Sequence, residues 1–67
     1  MHFSIWKSID DQFYFELKAD NGETVAVSEM YTRKESAKRT IEVIQKGAAK
    51  ADVFDHTAGE KYDRDLP

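Results

Sequence analysis

Phe13-Tyr14-Phe15-Glu16-Leu17-Lys18-Ala19-Asp20-Asn21-Gly22-Glu23-Thr24-Val25-Ala26-Val27-Ser28 is the stretch whose pairing decides the fold. From Phe13 to Ala19 apolar and polar residues alternate. Phe13, Phe15, Leu17 and Ala19 share one face, and Tyr14, Glu16 and Lys18 share the other. That is the period of a strand with one buried side. Asp20-Asn21-Gly22 then closes a hairpin onto a second strand, Glu23 to Ser28. Two turn geometries compete. A two-residue type I′ turn on Asn21-Gly22 pairs Leu17 with Ala26 and leaves Val25 and Val27 on the polar side. A three-residue loop, with a type I turn and Gly22 left-handed in a bulge, pairs Leu17 with Val25 and Phe15 with Val27. The second choice gathers the large apolar residues on one face, so the bulged hairpin is expected.

Upstream, Phe3 to Lys7 also alternates, with Phe3 and Ile5 opposite Ser4 and Trp6, and Ser8 to Gln12 reads as a turn. Downstream, Thr32-Arg33-Lys34-Glu35 has the form of a capping box. It predicts a helix over 33–46 with an inward stripe of Ala37, Thr40, Ile41, Ile44 and Ala48. Gly47 is placed to end it in the left-handed conformation. Residues 51–56 read as a short last strand carrying Val53 and Phe54, and 57–67 as a flexible polar tail. The expected architecture is therefore α+β: one β-β-β-α-β domain over 1–56, an antiparallel meander with a single helix on one face.

Composition narrows the class. At 67 residues there is room for one domain. So short a chain buries only roughly 60% of its unfolded surface, which favours any arrangement that adds core, self-association above all. With no cysteine, disulfides and thiolate metal sites are excluded, and a reducing cytoplasm suits the chain. The first residues lack a signal-peptide pattern, and no stretch approaches the roughly 20 apolar residues of a membrane span. A formal net charge of −3, with 34% charged and 40% hydrophobic residues, belongs to a folded protein. It is a poor starting point for a phosphate-binding surface.

Residues 13–23, 27–38, Ile41 and 51–55 together resemble the YegP-like family of small, mostly bacterial proteins without an established activity. The resemblance rests on an aromatic strand ending Leu17-Lys18-Ala19, on Asn21-Gly22, on Ser28-Glu29 before Tyr31, on a lysine-rich helix start, and on the closing Ala51-Asp52-Val53-Phe54-Asp55. It departs where Met30 stands in place of the usual glycine. The resemblance implies a repeat that occurs singly and dimerises, or twice in one chain. In either case one continuous sheet forms, with C-terminal strands exchanged and both helices on one face. A single-repeat chain is then expected to be a homodimer. The family offers no catalytic residues to transfer.

The residues themselves carry no reaction centre. His2 and His56 have no nearby ligand partners in sequence, so no metal or cofactor is expected. The serines lack a nucleophile-elbow context, and the three glycines form no phosphate cradle. No enzymatic role is expected. Trp6 and Tyr14 are the sharpest candidates, both on the face opposite the core stripe and beside Lys18. Such aromatics anchor protein partners or stack on bases, although a cross-strand aromatic pair also simply stiffens a sheet. The expectation is a homodimeric binding module that takes a protein or small ligand around Trp6, Tyr14 and Lys18. The alternative is weak single-stranded nucleic-acid binding on the same face, assisted by the helix lysines.

Overall fold

The computed structural model describes residues 1–57. Three strands, β1 (His2–Lys7), β2 (Phe13–Lys18) and β3 (Thr24–Val27), precede one helix, α1 (Lys34–Gly47), and a 3-10 turn (Ala48–Lys50). The sheet is antiparallel in the order β1-β2-β3, which leaves β1 and β3 as its edges. The α+β meander with one helix is thus present. The expected tail over 57–67 lies, beyond Thr57, outside the described residues.

The first hairpin follows its alternation. Phe3 pairs with Leu17, Ile5 with Phe15 and Trp6 with Tyr14. Its loop is closed by the Ser8 amide donating to the Gln12 carbonyl at 2.7 Å, with Asp11 left-handed at φ 64°. Aspartate tolerates that region better than most residues.

The second hairpin makes the expected turn. The Gly22 amide donates to the Ala19 carbonyl at 3.0 Å, the Ala19 amide donates to the Glu23 carbonyl at 2.9 Å, and Gly22 sits at φ 89°. Gly22→Ala introduces no clash, since nothing lies within 4 Å of an added Cβ. Its cost is the left-handed backbone alone, about 1–2 kcal/mol. A fall in Tm of roughly 7–14 °C in a thermal melt is the expected result.

The register beyond that turn differs from expectation. Lys18 pairs with Thr24, but a second bulge then intervenes, so Leu17 pairs with Ala26 and Glu16 with Val27. Val25 and Val27 are 54% and 60% exposed and do not enter the core. The physical reason is Tyr31. Its backbone pairs with Phe13 through bonds of 2.7 and 2.8 Å, and its ring stacks on Phe15 with centroids 6.3 Å apart. The place beside Phe15 that Val27 was expected to fill is held by a larger aromatic. Ser28 continues the ladder in its own way: its amide donates to the Phe15 carbonyl and its hydroxyl accepts from the Phe15 amide, both at 2.9 Å.

The helix begins one residue later than the capping box requires. Arg33 is the extended N-cap, no side chain caps the first turn, and Thr32 is exposed. Glu35 still lies in the first turn, where a negative charge favours the helix dipole. The inward stripe is real at its centre: Ala37 and Ile41 are buried, with Ile44 partly so. Gly47 does not stop the helix left-handed. It stays right-handed at φ −113° and leads into the 3-10 turn.

The buried core is Phe15, Ala37 and Ile41, with Phe3, Ile5, Tyr31 and Ile44 packed around it. Phe3 meets Phe15 edge-on at 5.7 Å. The expected fourth strand is not formed in the single chain. Residues 51–57 belong to no strand, and Val53 and Phe54 are 91% and 76% exposed. A strand needs a neighbour to hydrogen-bond, and its apolar side chains need a surface to cover. Among the described residues nothing brings either to this segment.

Candidate functional site

Alternation on β1 and β2 sends His2, Ser4, Trp6, Tyr14, Glu16 and Lys18 to the sheet face away from α1, and the register adds Thr24 and Val27. The face is organised by one carboxylate. Trp6 Nε1 donates to Glu16 Oε1 at 3.1 Å. Lys18 Nζ lies 3.7 Å from the same oxygen and donates to Thr24 Oγ1 at 2.8 Å. Trp6, Glu16, Lys18 and Thr24 therefore form a polar row that crosses all three strands. The indole is half exposed while its N–H is fixed, which holds the ring in one orientation over the sheet. Tyr14 stands directly across the ladder from Trp6.

The structure thus brings the three sequence-chosen residues onto one face. Trp6 and Tyr14 are cross-strand neighbours, and Lys18 reaches the pair through Glu16. Sequence reasoning gave too little weight to Glu16, the hub of the row, and placed Val27 on the wrong face. The signal for Glu16 was available in its position between Tyr14 and Lys18 on one side of β2. Val27 offered none, because the second bulge has no glycine to announce it. Chemically, the row neutralises itself: the lysine is held by a carboxylate and a hydroxyl. The face is suited to apolar or aromatic groups with hydrogen-bonding edges and poorly suited to anions.

A second feature lies on the other side of the sheet. Between β1 and α1 runs an apolar groove of about 590 Å³, lined by Met1, Phe3, Leu17, Ile41, Ile44 and Ala48 among others. A shallower hollow of about 280 Å³ continues it past Phe3 and Ile41 to Ile5, with Lys38 and Glu42 at its rim. Together they leave the β1 side of the core open.

Elsewhere, two carboxylates are held below the usual range by hydrogen bonds. The Ser8 hydroxyl does this for Asp10, and the Thr57 hydroxyl and amide do it for Asp55. Both are exposed turn contacts. Among the described residues no three His, Cys, Asp or Glu side chains are grouped to hold a metal ion, and no helix is long and apolar enough to cross a membrane.

The family model described as a domain of unknown function (DUF1508) matches residues 8–55. The UPF0339 protein YegP of Escherichia coli K12 is 42% identical over 53 residues, which cover 79% of this chain and 48% of that protein. The YegP protein of Yersinia pestis is 36% identical over 64 residues, covering 91% of this chain and 57% of that one. The solution structure of a protein from Haloferax volcanii is similar with a TM-score of 0.71 and 34% identity, covering 81% of this chain and 92% of that chain. The chain spans about half the length of the curated relatives it matches.

Proposed function

We propose a function from one premise: the chain belongs to the DUF1508 family, the YegP-like proteins. The family is one of unknown function. On our reading this member is a homodimeric module that acts by binding and not by catalysis, in the cytoplasm, with a protein or small ligand meeting Trp6, Tyr14 and Lys18. The observation that carries it is the ordered row from Trp6 through Glu16 and Lys18 to Thr24 on a sheet face that no element of the described chain covers. A fixed, half-exposed indole presents contact area at small entropic cost, which is what an anchor residue needs.

Dimerisation is supported by what the single chain leaves undone. Among the described residues nothing fills the groove beside β1 or pairs with the β1 edge, and Val53 and Phe54 are exposed. The family match extends to Asp55, past the last helical turn, so residues 51–55 count as part of the domain. A partner's 51–56 added to the β1 edge supplies a strand neighbour and an apolar cover together, giving one continuous sheet with exchanged C-terminal strands. The nucleic-acid alternative is less well supported, because Lys18 is already engaged by Glu16 and Thr24.

Trp6→Ala tests the binding face. A fragment screen by NMR is expected to give ligands that shift the Trp6 and Tyr14 ring resonances. The variant is expected to lose those ligands while keeping a cooperative melt within roughly 1 kcal/mol of the parent. Ligands that map to the groove instead, or a melt that collapses, defeat the reading. Oligonucleotide binding that falls steeply with salt would favour the alternative.

A further inference from the structure

Gly47 is a glycine that its observed conformation does not require. It lies at φ −113° at the end of α1, in the right-handed region open to every residue, and nothing stands within 4 Å of an added Cβ. Alanine there would favour the helix. A glycine in such a place has a use if the chain also visits a second conformation, one with positive φ, which glycine alone enters freely. The surroundings show what that conformation would do. Ala48 and Ala49 line the same groove as Met1, His2 and Phe3, so the end of α1 lies beside the beginning of β1. Residues 51–57 depart from that end and stay exposed. A left-handed Gly47 ends a helix and turns the chain back. The following residues would then run along β1, whose six residues span about 20 Å, the reach of residues 51–56 when extended.

Resting on the exchanged dimer proposed above, we infer that Gly47 is a hinge between two seatings of the same segment. With Gly47 right-handed the arm points away and is available to a second copy. With Gly47 left-handed it folds onto its own β1 edge and sets Val53 or Phe54 in the groove of its own chain. The contacts are the same in both, so the balance is set by the hinge and by protein concentration. The closed chain is a monomer that competes with the dimer.

Sedimentation equilibrium on the full chain, with Gly47→Ala and Gly47→Asn beside it, tests this. Contacts from Val53 or Phe54, whichever faces the groove, to the Ile41 and Ile44 methyls are followed by NMR at low concentration. Gly47→Ala, which penalises the left-handed state in each of the two copies, is expected to tighten the dimer about thirty- to ninehundredfold and to weaken those contacts in the monomer. Gly47→Asn, which tolerates the left-handed state, is expected to stay near the parent. An unchanged dimer constant in Gly47→Ala, with a monomer lacking those contacts, overturns the hinge and leaves the dimer standing. A parent that is monomeric throughout yet shows the contacts, and loses them in Gly47→Ala, supports the hinge and sinks the dimer. A monomer without the contacts sinks both.

Discussion

Phe15→Ala is expected to leave the protein without a cooperative thermal transition. Phe15 is 6% exposed, at the centre of a core whose other buried members are Ala37 and Ile41. It is also the shared partner of two aromatic contacts, edge-on with Phe3 and stacked with Tyr31. Truncating a buried phenylalanine costs about 3–5 kcal/mol, the loss of transfer energy plus the cavity left behind. A domain of this size rarely holds more than about 3–5 kcal/mol in total. The two figures cancel, so the variant should be largely unfolded at room temperature, with flat near-ultraviolet dichroism and no sigmoidal melt. Tyr31 makes collapse around the gap difficult, because its backbone is pinned to Phe13 and cannot follow its ring inward. A variant that melts cooperatively within a few degrees of the parent would show that the stabilising core lies elsewhere.

The same residue shows how far local pattern reaches. Phe15 was legible as core because β2 obeys a period of two and is flanked on both sides, so each inward residue has a neighbour above and below. The turn at Asp20-Asn21-Gly22 was legible because only glycine takes φ 89° without cost. Val25 and Val27 were misplaced because their facing depends on a second bulge whose cause is distant: Tyr31 enters from the helix side and occupies the site at Phe15. Pattern within β3 cannot register competition from a residue beyond it. The cap failed for a related reason. Thr32 and Glu35 have the right spacing, but the bridge from Tyr31 to Phe13 fixes where the chain leaves the sheet, and the helix starts after Arg33. On the sheet face away from α1, alternation put Trp6, Tyr14 and Lys18 on one side, because they lie on the two strands whose mutual register is undisturbed. The contacts that tie them were not legible, since a hydrogen bond between side chains depends on rotamers that spacing does not specify.

The second large effect is expected where the single chain looks least sensitive. Val53 and Phe54 are almost free of contacts in one copy, and exposed substitutions usually change stability by less than roughly 0.5 kcal/mol. If residues 51–56 form a strand against a partner, the two side chains point to opposite faces, one into the groove beside β1 and one to the outer face. Val53→Asp and Phe54→Asp, made separately, should then behave unequally. The inward one buries a carboxylate among Phe3, Leu17, Ile41 and Ile44, in a groove whose ionisable lining is His2 and the Met1 ammonium, the latter already paired with Asp20. Such burial costs about 3 kcal/mol or more, equivalent to at least roughly a hundredfold loss of affinity. Light scattering should show that variant at the mass of one chain, 7.7 kDa, at concentrations where the parent and its companion run as dimers. Which of the two collapses identifies the inward residue and therefore the register of the added strand. Two variants that both match the parent in mass and melting temperature would mean that the segment covers nothing, and the β1 edge would need another neighbour.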